Sequence, residues 1–153
     1  MSKLAAEEID QIFVFAIGQM KHALSLSGVE KVELAAEVTP ISEAPRIVIG
    51  AINLRGQILP VISMRRRLHF PDRRVMASDR IVIVRSSRRR IALVVDEVIG
   101  VRPMKRNDFI KADAISEGLG CVAGAARIDG EITMIHDLEL FLSEEDEKAL
   151  ENV

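Results

Sequence analysis

The sequence predicts a mainly β fold in two strand-rich halves. Short runs of apolar, β-branched residues recur along the chain. Turn-forming residues separate them every 8–12 positions or so, the spacing of a sandwich or of small barrels. The loop-forming pair Pro71-Asp72 then divides the strand signals into two groups. A length of 153 residues suits about one domain. No internal repeat and no low-complexity segment interrupts it.

Ile12 to Ile17 is apolar with aromatic and β-branched content, closed by Gly18, and reads as a buried strand. Gln19-Met20-Lys21 is the expected hairpin loop. His22 to Ser27 alternates with period two and reads as a half-buried strand. Gly28 ends it. Val29 to Leu34 has a spacing that suits a helical turn or a strand. Ser42-Glu43-Ala44-Pro45 has a cap-type Ser, an acid and an early Pro, the signature of a short helix start. Ala51 to Leu54 and Gln57 to Ser63 are strand-like around Arg55-Gly56. Pro60 makes the second of these an edge strand or a bulged one.

Met64 to Arg74 is expected to be a helical turn followed by a loop. Arg80 to Arg85, a turn at Ser86-Ser87-Arg88, and Arg89 to Val95 form a hairpin pattern. Val98 to Met104 is a third run. Asn107 to Gly120 carries no clear period and reads as an irregular connection. Cys121 to Ile128 and Glu131 to Ile135 flank Asp129-Gly130, a strong hairpin turn signal. Ser143 opens a final acidic helix to Leu150, its carboxylates in the first turn where the helix dipole favours them.

Composition narrows the function. Apolar residues make up 48%, so the chain is not mainly disordered. A single cysteine, Cys121, excludes an intrachain disulfide framework. No apolar run reaches the roughly 20 residues that span a bilayer. Met1 to Asp10 has three acidic residues and no apolar core, so no signal peptide is expected and the protein is read as cytoplasmic. Five Phe with no Trp or Tyr leave few rings for a ligand pocket or a base-stacking platform.

The net charge of -2 hides a segregation. Ala44 to Arg106 holds 15 basic and four acidic residues, an excess of +11, and the rest of the chain carries −13. Two readings follow: the basic middle faces an acidic partner, or acidic elements offset it within the fold. The second is favoured, because charge runs are usually solvated faces. The clusters Arg65-Arg66-Arg67 and Arg85-Ser86-Ser87-Arg88-Arg89-Arg90 would suit phosphate neutralisation. Near-neutral total charge and scarce aromatics argue against nucleic acid.

Signals for an enzyme are weak. His22, His69 and His136 are far apart in sequence, none with a partner at metal-ligand spacing, and each reads as surface or satisfied core. Cys121 reads as a small buried hydrophobe. Gly118-Leu119-Gly120 lacks the third glycine of a dinucleotide site. The expectation is no catalytic residue, no cofactor and no metal.

Ile47 to Arg65 reads IVIGAINLRGQILPVISMR. Gly50, the tetrad Asn53-Leu54-Arg55-Gly56, the aliphatics and Pro60 resemble the core of the CheW-like domain, the receptor–kinase coupling module of bacterial chemotaxis. Ile12 to Gly18, Val29 and Val32, Arg80 to Gly100, and Gly124 through Leu138 are similar to its other segments in order. The resemblance spans about residues 12–142 as a single domain, with a tail at 1–11 and a C-terminal helix at 143–153. It implies two small SH3-like five-stranded β-barrels side by side, with short helices.

It also implies a function. Such a protein is a non-enzymatic scaffold joining the cytoplasmic tip of methyl-accepting chemoreceptors to the regulatory domain of a CheA-type histidine kinase. It inserts into no membrane and binds no nucleic acid. Val29 and Val32 would supply apolar contact, Gly50 close approach, Arg55 several donors, and Ile81 a docking position on the second half. Plainer roles are core for Val29, Val32 and Ile81, a turn for Gly50, and bracing for Arg55. Asn53 and Gly56 shape the turn. The alternatives are a divergent scaffold in another kinase pathway and an anion-binding protein using the arginines. Two positions depart from the family pattern: Lys31 stands where a glutamate is usual, and Ser63-Met64-Arg65 where Asp-Leu-Arg is preferred. Lys31 beside Arg55 would repel it and retune partner choice.

Overall fold

The apolar runs become strands whose two faces enter different cores. The computed structural model describes residues 9–111 and 121–151. Along the chain the strands are β1 (Ile9–Ile17), β2 (Met20–Ser25), β3 (Val29–Leu34), β4 (Val48–Leu54), β5 (Gln57–Ser63), β6 (Arg80–Arg85), β7 (Arg90–Val95), β8 (Glu97–Lys105), β9 (Ile110–Lys111), β10 (Val122–Ile128) and β11 (Glu131–His136). Two short helices, α1 (Met64–Arg67) and α2 (Glu144–Leu150), complete the regular elements used below.

One sheet has six strands in the order β8-β1-β2-β11-β10-β9, and the other five in the order β3-β6-β7-β5-β4. The expected boundary near Pro71-Asp72 is therefore wrong. The second sheet is the continuous stretch from β3 to β7, and the first combines both ends of the described chain. The long-range pairing of β1 with β8, Phe13 opposite Val101, leaves no mark in a local pattern. Among the described residues the two sheets have six and five strands. Each sheet curls back on itself. β8 and β9 lie at opposite ends of the first sheet yet are joined by a 3-10 turn at Arg106–Asp108. In the second, a bridge between Thr39 and Ala51 brings the chain that leaves β3 onto β4.

Three cores result. Ile12, Val14, Ala23, Met104, Ala126, Ile128 and Ile135 fill the first sheet's concave side. Ile52, Leu59, Val61, Ile81, Ile83, Ala92 and Val94 do the same for the second. Alternate residues of the same strands, Phe13, Phe15 and Ile17 from β1 and Val82, Val84, Leu93 and Val95 from β6 and β7, meet between the sheets. A strand buried on both faces reads as a continuous apolar run.

Several local expectations change. The β1–β2 turn is only Gly18-Gln19, with Met20 already paired to Ile17 and Gly18 at φ 60. Leu26–Gly28 is a 3-10 turn, not the end of a strand. Val29 to Leu34 resolves as a strand. No helix starts at Ser42: Glu43 has φ 59, which no right-handed helix accommodates, and Val48 donates to the Pro45 carbonyl at 2.9 Å in a turn. β4 starts at Val48, three residues early. Pro60 does not put β5 at an edge. β5 lies between β4 and β7, and its parallel ladder with β7 begins at Val61, just past the residue without an N–H. Within the irregular connection, a turn and β9 form, and residues 112–120 lie outside the described chain.

After β11 the chain crosses to the second sheet. Asp137 caps a 3-10 turn, accepting from the Glu139 amide at 3.0 Å. Phe141, Leu142 and Leu150 enter the core between the sheets. Ser143 and Asp146 form a reciprocal capping box that starts α2. This closing segment straps the two sheets together.

Candidate functional site

β3 is the first strand of the second sheet's order and leaves one edge without a strand neighbour among the described residues. Its pairing with β6 shifts between Val29 and Lys31, a bulge that puts both valines on one face. Val29 sits opposite Val84 and packs on the core between the sheets. Val32 sits opposite Val82 but emerges from that cover, 40% exposed, and Leu34 beyond it is 71% exposed. The strand therefore runs from a half-buried anchor to an open apolar end.

Polar side chains tie one rim of this sheet. Glu30 on β3 accepts from Arg90 on β7 at 2.9 Å and pairs with Arg85 at 3.5 Å. Arg90 also donates to Gln57 Oε1 on β5. The row thus spans β3, β6, β7 and β5. Arg55 lies two residues before Gln57, at the tip of the β4–β5 hairpin with φ 50. Asn53 Oδ1 shapes that tip by accepting from the Gly56 amide at 2.9 Å. Arg55 is exposed and has no hydrogen bond or ion pair among the described residues. Lys31 pairs with Glu33 at 3.6 Å, two positions along the same strand, so its charge is offset locally. Ile58, next to this rim, is 58% exposed.

Two expected site residues lie below the surface. Ile81 is fully buried in the second sheet's own core, because its position on β6 points opposite to Val82. It supports β3 from beneath and cannot touch a partner directly. Gly50 is buried too. A Cβ there would run into the Thr39 carbonyl oxygen, so the close approach this glycine permits is taken by the chain's own Thr39–Ala51 bridge.

The charge segregation is resolved largely inside the molecule. Arg88 pairs with Glu144 at 2.5 Å and Arg89 with Glu147 at 3.0 Å, while Ser87 binds Glu139. Arg67 donates to the Phe141 and Leu140 carbonyls. Asp96 accepts from Arg65 at 2.6 and 3.0 Å, from Arg73 at 3.1 Å and from the Gly18 amide at 2.7 Å. Burial works to raise the Asp96 carboxyl, but the Arg65 and Gly18 bonds outweigh it and hold it below the usual carboxylate range. Acids from the ends of the chain thus meet Arg85, Arg88, Arg89 and Arg90, while the middle's own Asp96 meets Arg65 and Arg73.

A buried polar line also joins residues far apart in sequence. His136 lies 2.9 Å from His22 through one ring nitrogen and 3.2 Å from the Cys121 sulfur through the other. Phe15, Phe70 and Phe141 surround it. Burial pushes His22 down to about 4. It pushes His136 down to about 3, with help from His22 and Arg67. It pushes the Cys121 thiol up. Both rings are therefore neutral at pH 7, and the buried thiol is a poor nucleophile. In the sequence each histidine reads as surface or satisfied core and Cys121 as a small buried hydrophobe. What the sequence conceals is that they touch.

The family model described as CheW-like domain matches residues 11–146. The chain is similar to the chemotaxis protein CheW of Treponema pallidum, 23% identical over 96% of this chain and 90% of that one. It is similar to CheW of Thermotoga maritima, 26% identical over 88% of each chain. Among solved structures it resembles the scaffolding protein TtCheW from Thermoanaerobacter tengcongensis, with a TM-score of 0.82 and 28% identity over 91% of this chain and 96% of that one.

Proposed function

The chain belongs to the CheW-like family, and from that premise we propose that it is a non-enzymatic chemotaxis adaptor. It couples the cytoplasmic tip of methyl-accepting chemoreceptors to the regulatory domain of a CheA-type histidine kinase. Its place is the cytoplasm, at receptor arrays reached through its partners. No helix among the described residues is long and apolar enough to cross a membrane.

The observation that carries this reading is β3, an edge strand whose apolar side chains continue from the core onto the surface. Val32 and Leu34 supply area for a helix or strand of a partner, and Val29 anchors the strand beneath it. Arg55 is free to engage a carboxylate or a backbone carbonyl. Gly50 and Ile81 act at one remove, through the backbone and packing that set the strand's position. Lys31, next to Val32 along the strand, points to its opposite side, so its charge does not lie on the Val32–Leu34 face.

Isothermal titration against the regulatory domain of a CheA-type kinase, at two salt concentrations, tests the reading. Saturable stoichiometric binding that survives added salt supports an apolar interface. Loss of that binding in Val32→Asp or Leu34→Asp, with the fold intact, places it on β3. No binding to such a domain overturns the kinase half of the proposal.

A further inference from the structure

Most arginines of the basic middle find carboxylates, but one cluster keeps an excess. A surface cleft of about 320 Å³ is lined by Ile49, Arg66, Asp72, Arg73, Arg74 and Val75. Arg73 turns inward to Asp79 and Asp96 at 2.8 and 3.1 Å. Arg66 binds Asp72 at 3.0 Å, and that carboxylate is 53% exposed. Arg46 is held beside them by reciprocal bonds, donating to the Arg66 carbonyl at 3.3 Å while Arg66 donates to the Arg46 carbonyl at 2.8 Å. Neither Arg46 nor Arg74 has a carboxylate partner among the described residues. Asp72 is thus one acid beside the guanidinium groups of Arg66 and Arg46, and the Arg66 bond, with both charges nearby, holds it below the usual carboxylate range.

The floor differs from the walls. Ile49 and Val75 are half-buried and pack on the second sheet's core, so they present fixed apolar surface. A free inorganic anion uses the walls and gains nothing from this floor. A carboxylate side chain next to an apolar one uses both, with the arginine fork accepting the carboxylate and the floor burying the neighbour. Asp72 on Arg66 already displays the first half of that arrangement. We infer that this cleft docks a short acidic peptide segment of a partner protein, an acid on Arg74 and Arg66 and an adjacent aliphatic on Ile49 and Val75. The cleft is made by β4 and the loop after α1, and the inference stands independently of the adaptor reading.

The test uses the full chain and a synthetic capped tetrapeptide, Leu-Glu-Leu-Glu, followed by amide and arginine side-chain NMR. The expected result is saturable shifts in residues 46–49 and 66–75. Arg74→Ala weakens binding about threefold and Asp72→Asn, which removes the internal competitor, tightens it by a similar factor, as an exposed ion pair allows. Arg127→Ala, on the other sheet, leaves it unchanged. A Leu-Gln-Leu-Gln peptide that binds equally well overturns the proposal, as does inorganic phosphate shifting the same residues at the same concentration. So does indifference to both Arg74→Ala and Asp72→Asn.

Discussion

Two arginine-rich stretches look alike in the sequence and end differently in the fold. Arg85 to Arg90, around the β6–β7 turn, faces Glu30, Glu139, Glu144 and Glu147, so acids from three other places in the chain surround it. Arg65 to Arg74, around α1, meets Asp72, Asp79 and Asp96 and retains Arg74 unpaired. The first stretch is consumed in holding the closing segment. The second is divided between a half-buried hub at Asp96 and an open cleft. Local charge density is the same kind of signal in both. What separates them is which acidic segment the topology delivers, a long-range property.

The deepest part of that contrast is the Asp96 hub, and its removal should be the most damaging change. Asp96→Ala leaves Arg65 and Arg73 without their shared, largely buried partner. A loss of about 3 kcal/mol in urea unfolding is expected. A loss below about 1 kcal/mol would mean that water replaces the carboxylate and that the hub is not distinct from a surface pair.

Acid tests a region that uses no ion pairs. His22 and His136 have folded pKa values of about 4 and about 3, below the unfolded value of 6.5. The unfolded chain therefore binds protons first. Stability is full above pH 6.5 and declines as pH falls from there toward 4, by up to about 1.4 kcal/mol per pH unit for each histidine. Stability measured by urea titration across that window should slope downward with acid. A flat line from pH 6.5 to 4.5 would show that the pair takes up protons without opening.

The closing segment supplies the next comparison. Glu147 is nearly buried against Arg89, and Glu147→Gln should cost about 1 kcal/mol in thermal unfolding. Glu144, facing Arg88 in open solvent, should contribute nothing measurable when changed to Gln, and the melting temperature should stay within error. Equal effects from the two would erase the distinction drawn between the inner and outer pairs.

Much of this fold was legible in the residues. The strand runs mostly recur with shifted ends, while the Asp129-Gly130 and Arg55-Gly56 turns and the Ser143 cap are local signals that appear where the pattern puts them. The misses are non-local. Pro60 looks like an edge marker until the parallel partner is seen to start one residue later. Ile81 looks available until the core beneath β3 is known. Of the candidate site, Val32 and Arg55 emerge at the surface; for Val32 the spacing alone favours core and the surface role comes from the family resemblance, while nothing in the sequence singles out exposed Leu34. The His22–His136–Cys121 line carries no sequence signal, because its members are scattered over three segments. One family departure becomes intelligible: Ser63 caps α1, accepting from the Arg66 amide at 3.2 Å, a role an aspartate fills equally well.

The order in which the strands are threaded has a consequence for synthesis. As the chain leaves the ribosome, β3 to β7 emerge in succession and hold all the partners of their own sheet. β1 and β2 are made first but must wait for β8, some 80 residues later, before β1 gains its second neighbour. A nascent chain would thus carry a finished second sheet beside an unfinished first one, with Phe13 and Phe15 already able to rest on it. The central segment acts as the template on which the two ends of the described chain are later joined.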